Sequence, residues 1–336
     1  MDWVVIAFLG LSLFLYCLLG GADFGAGVVE LFSPPTHKEK VRALIGKAMG
    51  PVWEANHIWL IIFIVILFNG FPKVYTEVSI YFHIPLTLML LGIVFRGCAF
   101  TFRTYDAVKD QSRELYSRAF SFSSLLTPLT FGMIIGGIML GRVDPSAESY
   151  YAKFISPWLN LFCVSVGLFV LSIFTFLAAV FLIGETSDPQ MLNHFSKIAK
   201  RANLIMVMMG MLVFAAAYLN GRNFFLMFFN HPLGVLGLAG ATLPLVLLWR
   251  GLKTDHPWIL RSIVGFQLAM ILLAWSAVIY PNFIFYKNAR PLTIFDSLAP
   301  LSTITILGWS LIIGSIFFLP ALYYVILVFK IRDPKF

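Results

Sequence analysis

The chain has 336 residues and a formal net charge of +8; 60% of its residues are hydrophobic and only 12% are charged. Soluble domains are about 25% charged and about 45–50% apolar. A soluble protein of this composition would have too few charged side chains to form its surface, and much of its apolar surface would face water. The composition therefore excludes an ordinary soluble protein and predicts an all-α polytopic membrane protein.

Apolar segments recur along the whole chain, so we interpret residues 1–336 as a single integral membrane domain. About nine segments are long enough to cross an apolar core of ~30 Å at ~1.5 Å per residue. They are 3–30, 50–70, 78–100, 120–141, 156–184, 203–220, 232–250, 258–280 and 302–330. The first lacks the basic region of a signal peptide and is interpreted as a retained span.

Basic residues are distributed unevenly between the loops. Seventeen of the 24 Lys and Arg residues lie in the odd-numbered loops and the C-terminal segment, and six lie in the even-numbered loops. The positive-inside rule then places the N-terminus outside and the C-terminus in the cytoplasm. An odd number of spans also puts the termini on opposite sides. Membrane topology thus explains the basic excess, and no nucleic-acid partner is predicted.

Glycines occur at helix-packing spacing in the fourth and seventh spans. They are Gly132, Gly136, Gly137 and Gly141, then Gly234, Gly237 and Gly240. Glycines spaced four residues apart let two helix backbones approach closely in lipid. We favour packing within the bundle, with contact to a partner subunit as the alternative. The three cysteines lie far apart, form no CxxC pair and are interpreted as packing residues.

Ionisable residues inside spans are costly and usually face a bundle interior or a water-filled path. Those within the predicted spans are Asp23, Glu30, Glu54, His57, His83 and Arg96, with Arg103 at the end of the third span. Asp23 lies in GGADFGAGVVE, where the apolar run of the first span breaks. Two readings stay open for it: a proton or cation site, or a hydrogen-bonded carboxylate at a helix break.

The stretch GPVWEANHIWL opens the second span. Glu54 and His57 are three residues apart, so they share a helix face with about 5–6 Å between their Cβ atoms. An acid and an imidazole in mutual reach can pass a proton, with Asn56 as a polar neighbour. The alternative is an interfacial pair that extends to the lipid headgroups. Trp53 and Trp59 fit either reading as interface anchors.

Arg96, in IVFRGCAFTFR, is predicted to lie in the cytoplasmic half of the third span. A buried Arg needs a partner, and Glu54 and Asp23 are the carboxylates at similar depth. Haem ligation by this chain alone is not expected, because His57 and His83 differ in predicted depth by more than ~10 Å. No metal site is predicted either.

With these residues in place, the chain resembles subunit II of the cytochrome bd-type quinol oxidases. The resemblance rests on ADFGAG, GPVWEANHIWL, FRGCAFTFR and YPNFIFYKNARPLTIFDSLAPLSTITILGW, and it covers essentially the whole chain. The family pattern of the second span is matched by Pro51, Trp53, Glu54, Asn56 and Trp59. His57 stands where other members carry Gln, so a mechanism that depends on His57 is not a family requirement.

The resemblance implies two four-helix bundles plus one extra helix, in the cytoplasmic membrane of a bacterium or archaeon. It implies a heterodimer with subunit I, which carries two haems b, a haem d or further haem b, their ligands and the quinol-oxidising loop. Quinol and O₂ are the implied substrates, and the reaction generates proton motive force. Some members hold a structural quinone in this subunit, and small single-helix subunits are further candidate partners beside lipid.

Carried over by position, Glu54 is the expected proton-conducting residue and Asp23 a weaker candidate, with Asn56 and His57 beside them. Arg96, Trp53 and Trp59 are expected to be structural. Two alternatives stay open. One is a secondary transporter with Asp23, Glu54 and Arg96 as its site, since glycine-interrupted helices suit transporters. The other is a structural membrane subunit without a proton role.

Overall fold

The computed structural model describes the chain apart from Pro51 and residues 106–111, 252–256 and 332–336. The α-helices of the described part are α1 Asp2–Leu15, α2 Gly21–Leu31, α3 Pro35–Met49, α4 Trp53–Gly70, α5 Pro72–Tyr81, α6 His83–Tyr105, α7 Ser112–Leu140, α8 Tyr150–Phe154, α9 Leu161–Ile183, α10 Pro189–Leu219, α11 Phe224–Phe229, α12 Pro232–Gly251, α13 Pro257–Ile279 and α14 Leu301–Ile331. Two short strands, β1 Asn282–Ile284 and β2 Leu292–Thr293, pair antiparallel.

Eight helical segments of the described part are long and apolar enough to cross a membrane. The apolar part of α12, Pro232–Leu245, is shorter and corresponds to the predicted seventh span. Apolar helices satisfy their backbone hydrogen bonds internally, which is what a lipid environment requires. The all-α polytopic fold is therefore as predicted, whereas the count of nine spans and the orientation of the termini stay predictions.

The first span is helical throughout, contrary to the expected break at its glycines. A π-helical turn, Tyr16–Gly20, joins α1 directly to α2, so Asp23 lies inside a helix. A π-turn widens a helix locally without ending it, and such turns occur frequently at functional sites. This continuity removes the interrupted helix that had favoured a transporter.

The spans pack as two groups of helices. The first span, α4, α6 and α7 form one group, and α9, α10, α12 and α13 form the other. The groups meet where α9 packs against α2 and α7, and α14 lies against α1 and α4 at the edge. The pair of four-helix bundles with one extra helix stays a prediction, because it depends on the count of nine spans.

Glycines hold these helices close together, as the packing interpretation predicted. A Cβ added at Gly132 of α7 would lie 2.6 Å from the Cα of Gly167 in α9. A Cβ added at Gly237 of α12 would lie 2.7 Å from the Cβ of Ala274 in α13. Both separations are shorter than carbon–carbon van der Waals contact. The two glycine-rich spans therefore use these residues for contacts within the subunit.

The end of the bundle that we predict to be extracellular is closed by the segment between α13 and α14. The backbone amide of Lys287 donates to Val143 at 2.9 Å, which ties this segment to the end of α7. The Tyr286 hydroxyl donates to Glu77 of α5 at 2.8 Å. These contacts join the segment to the group that contains α7, at the end opposite the polar residues described next.

Candidate functional site

A buried carboxylate and a buried amide meet between the first span and α4. The Asn56 side-chain amide donates to a carboxylate oxygen of Asp23 at 2.7 Å, and both side chains are buried. Asp23 is held by the glycine-lined helix α2, which packs closely on α7 and α9. Asn56 lies in the first turn of α4, so the hydrogen bond joins two spans.

Arg96 of α6 brings a positive charge into the same interior. Its side chain is almost completely buried, and its guanidinium carbon lies 4.8 Å from the ring centroid of Phe24 and 5.1 Å from that of Phe120. Arg96 and Asp23 act on one another electrostatically. They form no salt bridge within 4.0 Å, although both residues are described. The expected pairing with Asp23 is therefore a long-range interaction, and aromatic rings make the close contacts.

His57 occupies an aromatic pocket. Its ring centroid lies 5.7 Å from that of Phe24, 6.3 Å from that of Tyr16 and 6.3 Å from that of Trp53. The buried Nδ1 atom of His57 has no hydrogen-bond partner among the described residues, and the same holds for Nε and Nη2 of Arg96. Buried polar atoms without a protein partner are positions where an internal water is expected to bridge.

Glu54 lies at the edge of this cluster. It is in the first turn of α4 and is exposed, whereas His57 three residues later is partly buried. No hydrogen bond joins the two described side chains, so the predicted acid–imidazole pair does not form. The reason is that His57 lies among the aromatic rings while the Glu54 side chain remains at the surface. Direct pairing of Glu54 with Arg96 is absent as well.

The two tryptophans of the second span have different surroundings. Trp59 is buried at 5% exposure and packs edge-on against Phe318 of α14, with the ring centroids 5.6 Å apart. An interface anchor is therefore the wrong description of Trp59, because its ring holds α14 against α4. Trp53 is half-buried and lies beside Gly97 and Phe100 near the end of α6. The structural role of both residues stays a prediction.

An ion-pair network closes the cluster on the side where the basic loops lie. The fully buried carboxylate of Glu30 accepts from Arg42 at 2.9 Å and from Arg103 at 2.6 Å. Arg42 also donates to Glu114 at 2.7 Å. The network joins α2, α3, α6 and α7. Arg103 lies 4.3 Å over the ring of Phe120, the ring that Arg96 also contacts, so the network supports the buried Arg96.

Sequence reasoning noted Glu30 and Arg103 as ionisable residues in spans but did not pair them. Arg42 lies in a connecting helix, and nothing in the sequence pattern shows that α3 packs under the bundle with one face buried. Their predicted depth in the membrane could have indicated the pairing, because Glu30 and Arg103 both lie near the cytoplasmic ends of predicted spans. A carboxylate and a guanidinium at equal depth favour pairing.

His57 and His83 are too far apart to hold a haem between them. His57 is in the first turns of α4, which lie beside the end of α6, whereas His83 begins α6 and binds the Ile80 carbonyl at 2.8 Å. The two imidazoles are thus at opposite ends of the bundle. No group of three or more His, Cys, Asp or Glu side chains suited to a metal ion occurs among the described residues.

The fold and the site define a multi-pass membrane protein with a buried Asp–Asn–Arg cluster beside an exposed glutamate. The family described as cytochrome bd terminal oxidase subunit II matches residues 1–329. The chain therefore belongs to this family, as its motifs predicted.

Two relatives agree with this membership, and one solved structure has a similar fold. Subunit 2 of the cytochrome bd ubiquinol oxidase of Bacillus subtilis is 27% identical over 214 residues, 63% of this chain and 60% of the relative. The bd-I subunit 2 of Escherichia coli K12 is 26% identical over 182 residues, 50% of this chain and 47% of the relative. The matched segments thus span 47–60% of these relatives. A chain in the structure of bd oxidase from Geobacillus thermodenitrificans superposes with a TM-score of 0.77 at 22% identity, covering 99% of both chains.

Proposed function

We propose that the chain is subunit II of a bd-type terminal quinol oxidase in a bacterial or archaeal cytoplasmic membrane. The complex oxidises quinol, reduces O₂ to water and generates proton motive force. The observation that carries this proposal is the family match over residues 1–329. The similar fold of the Geobacillus bd oxidase chain supports it.

In this proposal the haems, two of b type and one of d or b type, are carried by the partner subunit I. The separation of His57 from His83 supports this division, since these two described histidines lie at opposite ends of the bundle. Subunit II then has two tasks. It supports subunit I as its membrane partner, and it lines a path for the protons that O₂ reduction consumes.

The proposed path enters at Glu54 and continues inward past His57 and Asn56 to Asp23. Glu54 is exposed, so it is open to a proton donor or to a partner chain, whereas the Asp23–Asn56 pair is buried. The unpartnered Nδ1 of His57 lies along this route. Electrons that arrive at a site of low dielectric must be compensated by protons, because uncompensated buried charge costs several kcal/mol or more.

Arg96 adjusts the electrostatic potential along this route. Its buried positive charge acts on the buried Asp23 carboxyl without forming a close salt bridge. Arg96 is thus a positioning residue in the proposal and does not itself carry the proton.

Glu54→Gln in the purified oxidase tests the proton path. We expect quinol oxidase turnover to fall about 10²-fold, as for loss of a positioned proton-transfer group, with the haem spectrum retained. The matched control is Glu148→Gln, which neutralises another exposed glutamate at the other end of the bundle and should leave turnover unchanged. Full activity of the Glu54 variant would contradict the path. Loss of all haem absorbance would instead make Glu54 a structural residue.

A further inference from the structure

The exposed face of α10 changes from basic to apolar along its length. Lys197 and Arg201 are exposed near its start. Leu204, Met208 and Met211 follow on the same helical face, with 52%, 52% and 61% of their surface exposed. Residues spaced three and four apart on a helix are neighbours, so the cations and the apolar side chains form one continuous strip.

A pair of imidazoles extends the basic end of this strip onto α3. His194 lies one turn before Lys197, and its ring centroid is 5.0 Å from that of His37. The Ser33 hydroxyl lies 3.0 Å from Nε2 of His194 and holds the ring in place. His37, Lys197 and Arg201 all act on His194 electrostatically. The two cations and the two imidazoles therefore lie in one cluster, whose positive charge is carried by Lys197 and Arg201.

Nearby carboxylates do not neutralise this cluster. Glu185 accepts from Arg261 at 2.6 Å, and Asp188 accepts from Lys40 at 3.2 Å. Within the described part of the chain, no carboxylate lies within 4.0 Å of the two exposed cations of α10. The cluster is thus left with a positive charge that an external anion can satisfy.

We propose that this strip binds an anionic phospholipid of the inner leaflet, with its phosphate at Lys197 and Arg201, beside His37 and His194. Arginine and lysine donate charge-assisted hydrogen bonds to phosphate oxygens. The acyl chain then lies along the apolar continuation of α10. The adjacent Phe32, 71% exposed, supplies further apolar surface.

A lipid fits this surface better than a soluble anion. Its phosphate can contact the basic part of the strip while its acyl chain contacts the apolar part. The basic loops assign the start of α10 to the cytoplasmic side, where anionic lipids attract basic residues. A soluble phosphate would contact the cations alone and leave the adjoining apolar strip without a role.

The test uses the complete oxidase, stripped of native lipid and titrated with phosphatidylglycerol, phosphatidylcholine or inorganic phosphate, with bound molecules counted by native mass spectrometry. The double variant Lys197→Gln/Arg201→Gln removes the two exposed cations. The double variant Lys153→Gln/Lys287→Gln removes two charges at the other end of the bundle as a control. Lys197→Arg/Arg201→Lys keeps the charge and serves as the conservative variant. Haem content checks that each complex is assembled.

We expect phosphatidylglycerol to bind in preference to phosphatidylcholine and its affinity to fall about thirtyfold in the Gln double variant. The control and the conservative variant should bind as the parent does. Equal phosphatidylglycerol binding in the Gln variant would overturn the proposal. Inorganic phosphate that binds as tightly as the lipid would overturn it too. A cross-link from residue 197 or 201 to the partner subunit would show a protein contact instead of a lipid site.

Discussion

The side-chain amide of Asn56 donates a 2.7 Å hydrogen bond to the buried carboxylate of Asp23, and this bond joins α4 to the first span. A buried carboxylate is unfavourable unless it is paired or hydrogen-bonded. Here it has one amide donor within hydrogen-bond distance and a guanidinium, Arg96, farther away. The hydrogen bond from Asn56 is therefore the close contact that holds the Asp23 carboxylate in place.

Asp23→Asn tests the inner end of the proposed path. Asn keeps the size of the side chain and removes the proton-carrying group, so we expect turnover to fall about tenfold with the haem spectrum unchanged. The steady-state rate of O₂ consumption with excess quinol measures this. Asn56→Asp is a second useful variant. It places a carboxyl group next to Asp23, and two carboxyl groups this close cannot both ionise, so one of them stays protonated. Unchanged turnover in Asp23→Asn would limit the path to Glu54.

A double-mutant cycle between Asp23 and Arg96 measures their coupling. Arg96→Met removes the buried positive charge and leaves Asp23 without a counter-charge, so we expect a loss of about 3–5 kcal/mol in the free energy of unfolding. Adding Asp23→Asn should restore about 1–3 kcal/mol. Denaturation of the purified complex, followed by haem absorbance, measures both. If the stability losses of Arg96→Met alone and of Asp23→Asn alone add up in the double variant, the two charges do not interact.

Sequence reasoning predicted the fold class and the spans because lipid imposes a simple requirement of about 20 apolar residues per helix. It placed Asp23 and Asn56 in one candidate site because polar residues within apolar spans are rare and turn inward. It did not predict their mutual hydrogen bond, since spacing along the chain says nothing about which faces of two helices meet. Likewise, spacing put Glu54 and His57 on one face, but tertiary packing directs them to different surroundings.

The errors at Trp59 and in the first span have related causes. A Trp near the end of an apolar run is compatible with an interfacial ring and with a ring buried under a neighbouring helix. Here the distant helix α14 covers Trp59, and no local pattern reveals that. Clustered glycines similarly suggest a helix break. Close packing of α2 against α7 and α9 explains them instead, and it keeps the helix intact.

Glu30 and Glu39 both form ion pairs with Arg42, but the carboxylate of Glu30 is buried and that of Glu39 is exposed. Glu30→Gln weakens two buried ion pairs, to Arg42 and Arg103, so we expect a loss of about 3–5 kcal/mol in stability and lower haem content. Glu39→Gln removes a 3.0 Å pair with Arg42 whose carboxylate is exposed, so it should cost about 0–1 kcal/mol. Similar midpoints of thermal denaturation for the two variants would show that burial of Glu30 contributes little.

The final prediction concerns Gly25, two residues after Asp23. A Cβ at Gly25 would overlap the carbonyl oxygen of Phe174 in α9 and lie 2.8 Å from the Cβ of Ala178, so α2 and α9 would have to separate. We expect Gly25→Ala to cost about 1–3 kcal/mol, the range for overpacking. The matched control is Gly10→Ala in α1, where nothing lies within 4 Å of an added Cβ.

Because alanine favours helix over glycine, Gly10→Ala should leave stability unchanged or raise it by up to ~1 kcal/mol. Separation of α2 from α9 would also move Asp23 relative to Asn56, so Gly25→Ala should lower turnover as well as the denaturation midpoint. Thermal denaturation and O₂ consumption measured on both glycine variants test this. If Gly25→Ala behaves like Gly10→Ala in both, close approach of α2 to α9 is not what holds the carboxylate in place.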